Sequence, residues 1–197
     1  MATKPKSTEV KIPAIKIQVV DITLIGESSL VCHAFSEKAR RMIEIGQDPD
    51  APKPARKKRE KEAEYKASMY KHPDGGYGFP TIAFKAAAVR AAKGVVGMTM
   101  VDTRCSFHVQ GQLAKIKGKP NMREDAVRLK NGSADLRYRG EFAEWETTLS
   151  IRFNSAAISL EKLINLFNLA GFGVGVGEHR PEKGGSWGMF RIKQGDE

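Results

Sequence analysis

The side chains best suited to chemistry in this chain lie close to its end, in Gly171-Phe172-Gly173-Val174-Gly175-Val176-Gly177-Glu178-His179-Arg180-Pro181-Glu182-Lys183-Gly184-Gly185-Ser186-Trp187-Gly188-Met189-Phe190. Glycines at 171, 173, 175, 177, 184, 185 and 188 tolerate positive φ and let another backbone approach closely, so the main chain here suits a mould around phosphates. His179, Arg180 and Lys183 supply charge, and Trp187 supplies a plane on which a base can stack. The plain alternative is a flexible surface loop, which the same density of Gly, Pro and charge also describes. A second anion-suited place is the start of the segment at 81–93, where Pro80 stands at the mouth of a helix and Lys85 in its first turns. Free amides and an ammonium group near one point make a phosphate site. Tyr77, just upstream, is a second candidate for stacking.

Acid-base chemistry has weaker support. His33 sits among apolar residues and reads as a structural strand residue, while Asp48 and Asp50 lie in the breaker Gly46-Gln47-Asp48-Pro49-Asp50-Ala51-Pro52. Each stands alone, and general acid-base catalysis needs partners within hydrogen-bond reach. No catalytic residue is assigned. Cys32 and Cys105 lack Cys-x-x-Cys spacing and read as buried small hydrophobes. No metal cluster and no cofactor are expected. Lys and Arg number 33 against 23 Asp and Glu, a formal charge of +10 that favours a polyanion, nucleic acid before membrane. No apolar run approaches the ~18 residues that span a bilayer, and the polar first residues lead into no signal-peptide core, so the expected location is cytoplasmic.

The elements that must position these groups are legible from periodicity. Residues 15–25 alternate as a first strand with a slip at Val19-Val20 that predicts a bulge, and a second apolar stretch follows at 30–35. Ser36 caps a predicted helix over 37–45. Residues 53–71 are a charge run, read either as a solvated helix or as an inserted arm whose basic half meets phosphates. The segment 81–93 is a helix with Phe84, Ala87, Ala88 and Ala91 on its packing face. Residues 98–109 are expected to be a strand with Val101, Thr103, Cys105, Phe107 and Val109 on one side. Lys130-Asn131-Gly132-Ser133 signals a hairpin with positive φ at both central residues, whose arms carry Arg137 and Arg139 in a basic ribbon or simply an exposed polar hairpin. Residues 145–153 form the cleanest strand, with Trp145, Thr147, Leu149, Ile151 and Phe153 inward. Ser159 then caps a helix with Leu160, Leu163, Ile164 and Phe167 inward and its end at Gly171.

Gly78-Phe79-Pro80-Thr81-Ile82-Ala83-Phe84-Lys85-Ala86-Ala87-Ala88-Val89-Arg90 resembles the isoleucine-proline-glycine-serine-serine-leucine-lysine-glycine-x-x-arginine motif of the RAMP superfamily of CRISPR-associated RNA-binding proteins. The order of parts over 15–192 is similar too, down to a glycine-rich segment near the C-terminus at 171–190. Thr81, Ala83 and Ala86 depart from the motif's glycine, serine and second glycine. The resemblance implies an α+β fold, a ferredoxin-like (RRM-type) core with an antiparallel sheet and helices on one face. Length and these elements give one domain over 1–197 with a basic hairpin at 111–140, and the inserted helical, charged region at 36–78 matches the family's variable insertion. On the matched positions the resemblance places Lys85 and Arg90 near RNA phosphates, with Phe79 and Pro80 shaping the entrance.

The function expected from residues and resemblance together is non-catalytic binding of single-stranded nucleic acid, guide RNA in particular. The interface comprises Lys85, Arg90, Phe79, Tyr77, Arg180, Lys183, His179, Trp187, Arg137 and Arg139 with the glycine-rich loop. Similarity to the family's backbone subunits implies head-to-tail self-association along the strand and contact with other CRISPR-effector subunits. Two alternatives stand beside it. One is a phage or mobile-element protein that coats single-stranded DNA or mimics a backbone subunit; the other is a RAMP-type endoribonuclease using His33, Asp48 or Asp50.

Overall fold

A computed structural model describes residues 15–35, 37–47, 59–95, 97–128 and 131–195. Ser36, Asp48 and Asp50, together with residues 53–58 of the charge run, lie outside the described residues. The chain runs β1 (Ile17–Gly26), β2 (Leu30–Cys32), α1 (Glu37–Gln47), α2 (Lys61–Ala67), β3 (Tyr70–Lys71), β4 (Tyr77–Pro80) and α3 (Thr81–Ala91). It continues through α4 (Met100–Ser106), β5 (Phe107–Val109), β6 (Leu113–Lys117), β7 (Pro120–Arg128), β8 (Ala134–Phe142), β9 (Glu146–Asn154), α5 (Leu160–Gly173) and β10 (Phe190–Ile192).

Period-two alternation decides the centre of the sheet. Thr147, Leu149, Ile151 and Phe153 of β9 are buried, and β1 pairs with β9 antiparallel in unbroken register from Ile17↔Asn154 to Ile25↔Glu146. That register excludes the bulge expected at Val19-Val20. Val19 faces the open side of the sheet and is exposed, whereas Val20 packs on the core, so two adjacent valines simply serve opposite faces. The sheet order is β10-β1-β9-β6-β4-β3, and β5 also pairs with β9, end to end with β6. Taken as β1-α3-β5/β6-β9-α5-β10, with spatial order β10-β1-β9-β5/β6 and antiparallel neighbours, the chain is a β-α-β-β-α-β unit. The core is ferredoxin-like.

Helices α3 and α5 pack against each other and cover one face of this sheet. Phe84 of α3 meets Phe79, Trp145 and Phe190 with ring centroids 5.9, 6.4 and 5.8 Å apart, and Phe107 meets Phe167 of α5 at 5.8 Å. Edge-on aromatic contacts of this kind add to the area they bury. Ser159 caps α5 as expected, its hydroxyl accepting from the Lys162 amide. Leu163 and Phe167 are buried, but Leu160 is exposed and Leu166 takes the inward place, because the packing face of α5 starts one turn later.

Three other expectations change. Residues 98–109 are mainly the helix α4, because Thr99 accepts from the Asp102 amide and caps it; Thr103 and Ser106 bury at helical spacing, and the buried Phe107 opens β5. Cys105 is consequently exposed, while Cys32 is buried and its thiol is pushed up to about 12 by loss of solvent. The second apolar stretch forms a strand only at Leu30–Cys32, and Phe35 is exposed.

The hairpin β7–β8 leaves the core between β6 and β9 and pairs with β2 to form a separate sheet of order β2-β8-β7. Among the described residues of its tip only Gly132 has positive φ, at 84°. Asn131 instead accepts the Ser133 amide at 3.2 Å through its side chain, an Asx turn rather than two left-handed residues. Tyr77, Gly78, Phe79 and Pro80 are themselves a strand of the main sheet, paired with β6. Among the described residues no helix is long and apolar enough to cross a membrane.

Candidate nucleic-acid interface

The glycine-rich segment is folded on itself. Gly171 and Gly173 belong to the last turn of α5, and Gly171 is required there because a Cβ would press into the backbone carbonyl of Phe190. Beyond the helix, Val176 donates to the Gly188 carbonyl at 2.9 Å, Glu178 to Val31 at 3.0 Å, Gly185 to Arg180 at 3.2 Å and Trp187 to His179 at 3.2 Å. Gly188 donates to Ser29 at 2.8 Å. The segment is thereby stitched to itself and to β2. Positive φ at Gly175, Gly177, Gly184 and Gly188 turns the chain for these bonds. The amides of Val176, Glu178, Gly185, Trp187 and Gly188 therefore have carbonyl partners within the protein and are not open to a phosphate.

What the segment does create is a groove of about 240 Å³ against α3 and β4. Phe79, Pro80, Ala83, Ala86, Ala87 and Arg90 form one wall, Gly175, Val176, Gly177, Glu178 and Arg180 the other, and His33 and Tyr70 close the end. Small side chains on α3 leave the space. Arg90 reaches across it to place Nη1 2.7 Å from Glu182 Oε2, and Arg180 Nε lies 3.0 Å from the same oxygen. Phe79 and Pro80 shape this wall, with Phe79 itself only 5% exposed. His33, just beyond β2, places Nδ1 3.6 Å from Glu178 Oε1, and Arg139 Nη2 lies 3.8 Å from Oε2. Chiefly through His33, and further through Arg139, the Glu178 carboxyl is held below the usual glutamate range.

Several expected contacts sit elsewhere. Lys85 is absent from the groove: its Nζ is 3.0 Å from His108 Nδ1 and 5.8 Å from the centroid of Phe107, and partial burial lowers its pKa. Five residues along a helix turn the side chain by roughly 140°, so Lys85 and Arg90 cannot share one point. At the mouth of α3 the Thr81 amide is already taken, donating to the Gln112 carbonyl at 3.0 Å. Tyr77 packs edge-on against Phe142 at 5.9 Å. Trp187 is covered on one face by the Arg123 guanidinium, 3.7 Å from the ring centroid, and at right angles by His179 at 4.9 Å. It fastens the segment to the hairpin, which leaves little of the ring for a base. Lys183 is exposed and, among the described residues, makes no side-chain hydrogen bond or ion pair.

Arg139, Arg137 and Arg123 of the ribbon are paired internally, whereas Arg128 at the end of β7 is exposed. Arg139, with a side chain 6% exposed, lies 3.3 Å from Asp125 Oδ2 and 3.3 Å from His179 Nε2. Arg137 lies 2.8 Å from Asp135, which also holds Arg59. Arg123 meets Asp125 and Glu141 at 2.8 and 2.9 Å. A solvated basic ribbon is thus replaced by an ion-paired strut between hairpin and glycine-rich segment. Glu178, Glu182, Arg123 and Tyr70 are the groove and strut residues that the sequence reading missed. Acidic residues flanking His179 and Arg180 were the available signal for two of them.

No family model and no curated protein matches this chain. Among solved structures it is similar to the crystal structure of Cmr6 from Pyrococcus furiosus, with a TM-score of 0.46 and 10% identity over 91% of this chain and 100% of that one. The ferredoxin-like assignment rests on strand order and connectivity within the chain.

Proposed function

We propose that this is a RAMP-like protein that binds single-stranded nucleic acid, guide RNA first, in the groove between α3 and the glycine-rich segment. In this reading it assembles head to tail along the strand as a backbone subunit of a ribonucleoprotein. The observation that carries the proposal is the convergence of Arg90 and Arg180, from separate elements, on a groove of about 240 Å³ in a chain of net charge +10. The resemblance at 78–90 and the ferredoxin-like core support it. Titrating labelled oligouridylate at increasing salt should give binding that weakens linearly in log-log form, with a slope of about −0.7 per phosphate contacted. Light scattering should show mass growing with RNA length, because a repeated heterologous contact extends a filament. Absence of oligouridylate binding at low salt would refute the proposal, and tighter binding of oligothymidylate would favour the single-stranded DNA alternative, since only RNA offers 2′-hydroxyls.

A second reading, metal-independent RNA cleavage, gains one specific observation: His33 lines the groove with Glu178 beside it and two guanidiniums nearby. A base oriented by a carboxylate next to cations suits attack at a phosphodiester. Incubating the protein with RNA in chelator should then release fragments, and His33→Ala should abolish them. Intact RNA after prolonged incubation retires this reading.

A further inference from the structure

One oxygen of Glu182 serves two arginines. Glu182 Oε2 lies 2.7 Å from Arg90 Nη1, 3.0 Å from Arg180 Nε and 2.9 Å from Arg180 Nη2. Guanidinium groups are planar forks that match the paired oxygens of a phosphate, and two of them aimed at one small anion exceed what a single carboxylate oxygen satisfies. The two cations also come from elements distant in sequence, α3 and the glycine-rich segment, so their convergence is a product of the fold.

The acidic side chain is partly open to solvent, 27% exposed. Glu182 sits in the single 3-10 turn Pro181–Lys183, which ends on Gly184 at φ 78° with open space around its Cα. The turn itself is fixed through the backbone, with Glu182 donating to the Val174 carbonyl at 3.2 Å and Gly184 to Pro181 at 2.9 Å. Rotation of one partly exposed carboxylate side chain therefore uncovers both guanidiniums without moving the main chain. Arg180 keeps a second anchor, Nη1 donating to the Gly177 carbonyl at 3.0 Å, so it stays in place when the carboxylate goes.

We infer that Glu182 is a built-in stand-in for phosphate: it fills an anion site between Arg90 and Arg180 in the free protein, and a phosphodiester of the bound strand displaces it. This rests on reading the groove as a single-strand site. The carboxylate sets a threshold. An isolated anion must compete with a tethered one at high local concentration, whereas a strand that makes several contacts at once supplies the difference.

The test compares the parent with Glu182→Gln, which keeps shape and removes charge, using fluorescein-labelled oligouridylate and, in parallel, inorganic polyphosphate. Glu182→Gln should tighten both by about tenfold, the scale of one charge-assisted hydrogen bond. Its salt slope should match the parent's, because the same phosphates are neutralised in both complexes. In an Arg90→Gln/Arg180→Gln background the gain should vanish, a non-additivity expected only of groups acting on one site. Unchanged or weaker binding by Glu182→Gln overturns the inference and leaves the RNA reading standing; weaker binding with a lower melting temperature identifies Glu182 as a structural clamp. Tighter polyphosphate binding with no response to oligouridylate in either protein keeps the anion site and removes the RNA reading. If neither ligand binds either protein, both fall.

Discussion

Replacing Gly188 with alanine is expected to destabilise the fold by about 2–5 kcal/mol, from about 1–2 kcal/mol for a left-handed residue with a side chain and about 1–3 kcal/mol for overpacking. Gly188 has φ 67°, and a Cβ there would press into the carbonyl oxygen of Val176. Neither side can yield cheaply. The Gly188 carbonyl accepts from Val176 at 2.9 Å and its amide donates to Ser29 at 2.8 Å, so the position joins the two arms of the segment to the chain leaving β1. Gly173 provides the contrast within the same segment, since it closes α5 with nothing near the site of a Cβ. Gly173→Ala should be neutral or stabilising by up to about 1 kcal/mol, as glycine is the poorer helix former. Urea unfolding midpoints of the two variants would measure this, and a Gly188→Ala protein as stable as the parent would show that the loop is not held as described.

Reversing Arg90 and Arg180 together to glutamate should lower affinity for oligouridylate by at least about a hundredfold at moderate salt and make the salt slope shallower by about 1.4 units, two phosphate contacts at 0.7 each. The change in net charge alone does not explain such a loss. Lys162, in the first turn of α5, lies roughly 16 Å along the helix axis from Gly173, and a reversal there alters global charge without touching the groove. Lys162→Glu should therefore leave the salt slope intact and cost severalfold at most. The double variant changes net charge by four units and Lys162→Glu by two, so a loss from Lys162→Glu half as large in log units as that of the double variant would mean that binding follows overall charge and has no place in the groove. Because Glu182 would face two new carboxylates in the double variant, its melting temperature should be recorded beside the titration.

These two results bear on one design. The glycines matter to the chain chiefly as backbone, allowing a segment after α5 to fold tightly on itself and against β2, and the charged side chains it exposes then face α3. Arg139 and Trp187 strengthen that arrangement from the other side. Burial of Arg139 beside Asp125, Glu178 and His179 is tolerable because its charge is paired, and it ties the hairpin to the groove wall.

Much of the scaffold is written locally. Alternation at 145–153 dictates a strand and its buried face, since the side-chain period of two is a property of the backbone. Residues 81–91 are helical by the spacing of Phe84, Ala87 and Ala88, and Ser159 marks the start of α5 by its side-chain oxygen. The glycine-rich segment and the residues around Arg90 were also visible as places of interest. Local pattern misled at 98–109, where apolar alternation competed with a Thr99 cap that the helix α4 uses.

What tertiary structure alone decided is which charges remain available. Arg137 is paired with Asp135 two residues away on its own strand, whereas the pairing of β7 with β8 is what sets Asp125 beside Arg139, and Lys85 belongs to His108. His33 and Glu178 meet only because the segment after α5 returns to lie along β2. Likewise Arg90 finds Glu182, which is only two residues from Arg180, through the packing of that segment on α3. Composition determines how much charge a chain carries; Coulomb energy depends on distances and on burial, and those exist only once the strands and helices are assembled.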